Sequence, residues 1–169
     1  SGKGLGEQLL LARRLTAAGC GFVNVSYGGW DMHGKIQNAM KSRSPQMDQG
    51  LSALIEDLKQ SGQLDDTLLV VTGEFGRTPR LNNDARGPGR DHWKNAFSLT
   101  LGGGGIKTGM VLGATDKHAA EITERPVSVP DFAATVYHAL GLDPKAELKL
   151  QDDRPMYALP DGEVIRELV

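Results

Sequence analysis

The sequence predicts a layered α/β domain with a mostly parallel sheet. Helical and strand-like apolar patterns alternate along the chain in the order α-β-α-β-β-β-α, which is typical of layered α/β folds. The run Leu68–Val71 is apolar without interruption, as expected of a strand covered on both faces of a parallel sheet. We therefore expect this run to be a central strand with a neighbour on each side.

Two helices and one strand are predicted in the first third of the chain. An apolar helical stripe closed by Gly19 predicts the first helix, and Phe22–Val25 has the pattern of a strand. Ser44 and Pro45 supply an N-cap and a first-turn residue for a second helix that ends at Gly62. The apolar face of that helix consists of Met47, Leu51, Leu54, Ile55 and Leu58.

The rest of the chain is predicted to contain three strands, one helix and a tail. The strands are Thr67–Thr72, Phe97–Leu101 and Met110–Leu112, and the helix begins at Pro130 and ends before Gly141. Residues 143–169 are rich in Pro, Asp and Lys and are predicted to wrap the surface of the same domain, which takes up residues 1–169.

Composition restricts the classes of partner. The 19 basic and 21 acidic residues leave a net charge of -2, which offers no broad field to attract nucleic acid or an anionic membrane surface. No apolar run approaches the roughly 20 residues of a membrane span. Cys20 is the single cysteine, so an internal disulfide is excluded. We therefore expect a small partner.

Potential metal ligands lie in three glycine-flanked loops that follow predicted strands. They are Asp31 and His33 in the first loop, Glu74 in the second, and Asp91 with His92 in the third. Loops at the carboxyl ends of parallel strands meet in one crevice, so these side chains are predicted to surround one cation. Their oxygen and nitrogen atoms suit Zn²⁺ or Mn²⁺ best, with Ca²⁺ or Mg²⁺ as alternatives.

Ordinary structural roles remain open for these residues. The alternative for Asp31 is to cap a turn beside a solvated His33, and the alternative for Glu74 is a salt bridge with Arg77. Three basic side chains in the same loops are candidates for binding a tetrahedral oxyanion, because guanidinium groups donate paired, charge-assisted hydrogen bonds. These are Arg77, Arg90 and Lys94, and a solvated surface position is the alternative for each.

Several motifs resemble a known family. The chain is similar to bacterial proteins of a domain-of-unknown-function family described as sulfatase-like, within the alkaline phosphatase superfamily. The resemblance covers nearly the whole chain and rests on the motifs Gly29–Gly34, Leu64–Leu68, Val70–Pro79, Gly89–Trp93, Gly113–Asp116 and Arg125–Val127.

The resemblance implies a partial α/β/α domain of the alkaline phosphatase or sulfatase type, forming the C-terminal portion of a longer protein. The missing N-terminal half would then be a partner of this segment and would supply the nucleophile. We identify no catalytic nucleophile here, since Ser26 has a strand pattern and Thr78 precedes a turn proline. A periplasmic or extracytoplasmic location is also implied. Phe75 stands where the superfamily has a His or Asn ligand.

These observations favour a metal-dependent hydrolase domain that acts on a small anionic phosphate or sulfate ester and is inactive as this segment alone. The alternative is a non-catalytic descendant of the same fold that retains metal or ligand binding. A third interpretation is a carbohydrate or matrix-binding module that uses Trp30 and Trp93 as stacking surfaces.

Overall fold

The computed structural model describes residues 4–149, 152 and 154–169. Within these residues three helices and eight short strands follow one another, and the strands form the antiparallel pairs β1–β4, β2–β3, β5–β6 and β7–β8. In chain order the elements are α1 (Leu5–Ala17), α2 (Ile36–Gln60), β1 (Leu69–Val71), β2 (Gly76–Arg77), β3 (His92–Trp93), β4 (Thr100–Gly102), β5 (Ala114–Thr115), β6 (Ile122–Glu124), α3 (Val129–Ala139), β7 (Glu147–Lys149) and β8 (Pro155–Tyr157).

The predicted layered α/β/α fold with a mostly parallel sheet is wrong. Among the described residues β1 pairs with β4 alone, in antiparallel register, with Val70 opposite Leu101. Val70 also leaves 40% of its surface exposed, so β1 is not the buried central strand that was expected. The apolar run predicted an extended segment, but it does not specify strand direction or the number of neighbours, because strand partners are selected by non-local packing.

The chain divides into two compact units. The first comprises Ser1–Thr67 with Glu74–Phe97, and the second comprises Leu68–Gly73 with Ser98–Val169. In the first unit α1 packs against α2, and Leu9 approaches Gly50 so closely that a Cβ there would touch its Cδ1 at 3.0 Å. The Arg13 Nε to Asp57 Oδ2 ion pair at 2.6 Å joins the same two helices.

The second helix begins well before the predicted N-cap. The backbone N–H groups of Lys35 and Ile36 donate to the carbonyls of Gly87 and Pro88, at 3.0 and 3.1 Å. These bonds satisfy donors that a helix start otherwise leaves unpaired. Pro45, predicted in the first turn, therefore lies inside the helix. The start of α2 depends on a loop fifty residues away in the sequence, which no local signal reveals.

Two predicted strands lack a ladder. Phe22–Val25 and Met110–Leu112 are not hydrogen-bonded strands, and Phe22 and Val111 expose 78% and 93% of their surfaces. Both segments have apolar residues suited to a strand but no strand partner within the part of the chain that the structure describes. The helices α1 and α3, in contrast, lie where their capping and periodicity predicted them, with Ser128 accepting from the Asp131 N–H at the start of α3.

A helix that crosses a bilayer needs roughly 20 predominantly apolar residues, which sets the standard for the helices of the described residues. None of them is both long enough and apolar enough to cross a membrane. The longest, α2, has 25 residues but carries several charged side chains, among them Lys41, Arg43 and Asp48.

In the second unit the C-terminal segment binds to α3 through a buried hydroxyl. Thr135 is fully buried, and its Oγ1 donates to the Asp131 carbonyl at 2.8 Å and accepts from the Ile165 N–H at 2.9 Å. Ile165 itself is 3% exposed. The Glu163 N–H donates to Asp131 Oδ1 at 2.9 Å. The last residues of the tail therefore form part of a core.

We expect Thr135→Val to destabilise the second unit by about 1–3 kcal/mol, because the isosteric valine leaves the buried Ile165 N–H without an acceptor. The free energy of unfolding from urea titration measures this loss. Thr100→Val, at an exposed position of β4, is the matched control and should change stability by less than about 0.5 kcal/mol. Equal effects of the two substitutions would contradict the role of the buried hydroxyl.

Candidate metal centre

The first candidate loop directs its two polar side chains to the same side. Met32 lies between Asp31 and His33, is 5% exposed, and thereby occupies the interior while its neighbours face the other way. The Arg90 N–H donates to the Met32 carbonyl at 3.0 Å, which joins this loop to the third candidate loop. The order polar, apolar, polar thus places both potential ligands at one surface.

An arginine on α2 holds the start of this loop. Arg43 donates from Nη1 to the Gly28 carbonyl at 2.8 Å, and its guanidinium lies 5.8 Å from the centre of the Tyr27 ring. Trp30 meets the same ring edge-on at 5.7 Å. Gly29 has a φ of +88°, in the left-handed region that favours glycine, and a Cβ there would also displace the flexible end of the Arg43 side chain. These contacts limit the movement of the backbone that precedes Asp31.

The second and third candidate loops are joined by the β2–β3 pair. Arg77 is directly opposite His92 in this antiparallel ladder, and opposed residues project to the same face. The Thr78 N–H extends the pairing by donating to the Asp91 carbonyl at 2.9 Å. The ladder therefore places a guanidinium and an imidazole beside each other.

Three potential ligand atoms converge at this point. The His33 Nε2 atom lies 2.9 Å from Asp31 Oδ1 and 3.2 Å from His92 Nε2, and His92 Nε2 lies 2.9 Å from Asp31 Oδ1. Atoms that share a cation at about 2.1 Å are separated by about 3.0–3.4 Å, depending on the coordination angle. Among the described residues, Asp31, His33 and His92 form a group that could hold a metal ion.

His33 lies between two carboxylates. Its Nδ1 is 2.7 Å from Asp91 Oδ1, while its Nε2 faces Asp31 Oδ1. A neutral imidazole has a single N–H, so it can donate to only one of these oxygens and must direct a lone pair at the other. A second proton or a metal ion removes this conflict. A proton on Nδ1, facing Asp91, leaves Nε2 as the ligand atom, as in the carboxylate–histidine–metal arrangement of many metalloproteins.

The carboxylates are held in their charged forms. Hydrogen bonds from His92 and from Arg77, whose Nη2 lies 2.7 Å from Oδ1, lower the pKa of Asp31 to about 2. The pKa of Asp91 is lowered by its hydrogen bonds with His33 and Asn82. Asp31 is nonetheless 63% exposed at its side chain, so solvent and ions reach the ligand atoms.

Phe75 supports the cluster without supplying a ligand atom. Its ring centre lies 4.2 Å from that of His92, with the planes inclined by 40°, and the Arg77 guanidinium lies 5.7 Å from the centre of the Phe75 ring. The His33 and His92 rings are 4.8 Å apart. Phe75 therefore restricts the rotation of the His92 ring. It does so at the position where the family resemblance implied a His or Asn ligand.

The other candidate residues lie outside the three-ligand group. Glu74 is exposed and is not among the converging ligand atoms, and Arg77 pairs with Asp31 and not with Glu74. The Arg90 guanidinium donates to the Thr78 carbonyl at 2.9 Å, and Lys94 is exposed. Arg77 is thus the basic side chain that directly contacts the cluster in the described residues.

A family model described as "Protein of unknown function (DUF1501)" matches residues 2–169 of the chain. The chain belongs to the DUF1501 family. No curated protein and no solved structure matches it.

The DUF1501 match corrects the assignment made from sequence motifs. Membership of a sulfatase-like family within the alkaline phosphatase superfamily was predicted, and this prediction is wrong: the match supports DUF1501, and neither the comparisons nor the fold links the chain to that superfamily. The antiparallel strand pairs also differ from the parallel sheet that the resemblance implied. Short motifs around acidic and histidine residues recur in unrelated folds, so they did not identify the superfamily.

The candidate site of this chain includes residues that the sequence did not single out. Asn82 contacts both the His33 backbone and the Asp91 carboxylate, at 2.9 and 3.1 Å. It occurs in a run of residues typical of turns, and asparagine is so common in turns that the pattern carried no signal of a site. Phe75 was noticed only as the absence of a ligand.

Asp31 predicts a pH dependence for the metal-free protein. Because its folded pKa of about 2 lies below the ordinary value of 3.8, the carboxylate stabilises the fold above about pH 4, and this contribution is lost as the pH falls towards 2. We expect the wild type to lose more stability than Asp31→Asn over that range, as measured by urea unfolding with a chelator present. Parallel profiles of the two proteins would contradict this.

Proposed function

We propose that this chain binds a divalent cation, Zn²⁺ or Mn²⁺, through Asp31 Oδ1, His33 Nε2 and His92 Nε2, and that the site serves hydrolysis of a phosphate or sulfate ester. The observation that carries the proposal is the convergence of these three atoms within 3.2 Å of one another. Two imidazoles and one carboxylate suit borderline divalent ions better than Ca²⁺, which prefers a shell of oxygen ligands.

Three protein ligands leave coordination positions open to water and substrate. The side chains of Asp31, His33 and His92 are 63%, 36% and 50% exposed, so one side of the cluster faces solvent. A Zn²⁺ ion held by these three side chains would polarise an ester oxygen and would lower the pKa of coordinated water to roughly 7, which would make that water a nucleophile at neutral pH. An open position is the mark of a catalytic metal site, whereas structural sites are closed.

Arg77 supports the choice of an anionic ester. Its guanidinium contacts Asp31, is 23% exposed, and is restrained by a second bond from Nη1 to the Arg90 carbonyl at 3.3 Å. A guanidinium beside the open face of a cation would bind an oxyanion through paired charge-assisted hydrogen bonds. In this proposal Arg77 holds the anionic group while the ligands hold the cation.

A second candidate function is metal binding without catalysis. It is favoured by the engagement of the Thr78 hydroxyl, which donates to the Arg80 carbonyl and accepts from the Asp91 N–H. That hydroxyl is engaged on both sides and is not free to attack a substrate. Hydrolysis would then depend on coordinated water alone. Turnover of phosphate or sulfate esters by the metal-loaded protein separates the two functions.

Removal of one imidazole tests the metal site. We expect His92→Ala to weaken Zn²⁺ and Mn²⁺ binding by on the order of a hundredfold or more, because one of three protein ligands is lost. His138→Ala, at an exposed position of α3, is the matched control and should bind like the wild type. Calorimetric titration above the histidine pKa of about 6.5 measures both affinities.

The same substitutions test catalysis. Because the segment alone is expected to be inactive, turnover is measured in the complete natural protein: the metal-loaded wild type and His138→Ala should hydrolyse p-nitrophenyl phosphate or p-nitrophenyl sulfate at equal rates, and His92→Ala should not. Equal metal affinity of the two variants would overturn the site. Metal binding without turnover of either ester would leave the non-catalytic function as the correct one.

Replacement of Arg77 should change two affinities in opposite directions. Its guanidinium bonds to the oxygen that is proposed as a metal ligand, so Arg77→Ala should strengthen metal binding by about two- to fivefold, the effect of removing a competing surface ion pair. The variant should also bind inorganic phosphate more weakly once Mn²⁺ is loaded. Relaxation of the phosphate ³¹P signal by Mn²⁺ measures this, with Arg80→Ala, an exposed position in the same loop, as the control.

A further inference from the structure

Asn82 makes more hydrogen bonds than a residue of an exposed loop requires. Its Nδ2 donates to the His33 carbonyl at 2.9 Å and to Asp91 Oδ1 at 3.1 Å. Its Oδ1 accepts from the Gly89 N–H at 2.9 Å and from the Asp84 N–H at 3.3 Å. A carboxamide has two N–H groups and two acceptor lone pairs, so its full capacity is used.

These partners determine the orientation of the amide. Rotation by half a turn would direct Oδ1 at the His33 carbonyl oxygen and at the Asp91 carboxylate, where every contact would be between acceptors. The backbone N–H groups of Asp84 and Gly89 would then face an amide NH₂, which cannot accept. The orientation therefore follows from the chemistry of the four neighbours.

The bond from Asn82 to Asp91 acts on His33. Asp91 Oδ1 is the same oxygen that lies 2.7 Å from His33 Nδ1. An oxygen held by Nδ2 at this position favours a proton on Nδ1, and the His33 ring then presents Nε2 to Asp31 and His92. Asn82 also binds the His33 carbonyl, so it restrains both the backbone of His33 and the partner of its ring.

Close packing of the surrounding backbone also restrains the position of Asn82. Gly89 is buried, and a Cβ at this position would overlap the backbone of His33 and Gly34. Asn82 bonds to Gly89 a second time, through its own N–H to the Gly89 carbonyl at 2.9 Å. The two loops are therefore in contact along their backbones, with Asn82 joining them.

We infer that Asn82 is a positioning residue which, through Asp91, selects the Nδ1–H tautomer of His33 and so makes Nε2 the metal-binding atom. This inference rests on the metal site proposed above. Outer partners of a ligating histidine typically contribute about 10–100-fold to metal affinity. The contribution of Asn82 passes through the orientation of His33 and not through contact with the cation.

The substitution Asn82→Asp tests the inference with little change of shape. Aspartate retains the acceptor for Gly89 and Asp84 but loses the donors to His33 and Asp91. Its added negative charge would strengthen cation binding if simple electrostatics decided the outcome. A loss of affinity therefore identifies a geometric role. Asn83→Asp adds the same charge at the neighbouring exposed position and is the matched control.

We expect Asn82→Asp to bind Zn²⁺ about 10–100-fold more weakly than Asn83→Asp in calorimetric titrations. In the Zn²⁺-loaded wild type and Asn83→Asp, ¹⁵N-correlated spectra of the imidazoles should give His33 a protonated Nδ1 and a metal-bound Nε2. In Asn82→Asp this single tautomer should be lost. A loop role alone would lower thermal stability without changing the tautomer.

Two results would overturn the role of Asn82 without overturning the metal site. In the first, Asn82→Asp binds Zn²⁺ as tightly as Asn83→Asp and keeps the His33 tautomer. In the second, the wild-type spectrum shows the metal on Nδ1 of His33. In both cases His92→Ala would still weaken binding, so the metal site would stand. Absence of Zn²⁺ binding by the wild type would instead overturn the metal site and, with it, the role of Asn82.

Discussion

The arrangement of the site depends on His33, which lies between the carboxylates of Asp91 and Asp31. One imidazole nitrogen faces each carboxylate at 2.7 and 2.9 Å, and a neutral ring can satisfy only one of them. A cation bound between His33 and the second carboxylate would relieve this contact. The His92 ring lies beside Nε2 of His33. The backbone of Gly89 and the side chain of Asn82 contact the backbone of His33.

The net charge of the cluster favours binding of a cation first and, once the cation is bound, of an oxyanion. Asp31 and Asp91 contribute two negative charges and Arg77 one positive charge, so the directly bonded groups are net negative. A bound divalent cation reverses the sign of this local charge, as bound cations commonly do in protein sites. Arg77 contacts the same carboxylate oxygen that is proposed to bind the metal. The guanidinium and the cation thus compete for one atom but cooperate towards an oxyanion.

The fold places these groups with little regular secondary structure. The β2–β3 pair has two residues in each strand, and the rest of the site is held by loop backbone bonds and by Arg43 on α2. A side chain at Gly89 would overlap the backbone of His33 and Gly34, and Gly29 has a positive φ that favours glycine. The absence of a side chain at Gly89 thus allows the backbones of the two loops to come into contact. Loops held in this way can present ligands from distant parts of the chain.

The sequence by itself determined the features that depend on near neighbours. The positions of α1 and α3 follow from periodicity and capping, and the two-residue spacing of Asp31 and His33 in an extended segment places both side chains on the same side. The occurrence of Asp and His in glycine-flanked loops also predicted that Asp31, His33 and His92 are potential metal ligands. All of these signals lie within a few residues of the feature that they predict.

Only the tertiary structure decided which strands pair, where α2 begins, and which ligand atoms meet. The apolar run at β1 was compatible with either strand direction, and its antiparallel partner lies about thirty residues further along the chain. Tertiary contacts also decide the membership of the site: Glu74 is not among the converging ligands, whereas Asn82 contacts His33 and Asp91. These outcomes depend on contacts between segments far apart in sequence, and neither residue type nor local spacing specifies such contacts.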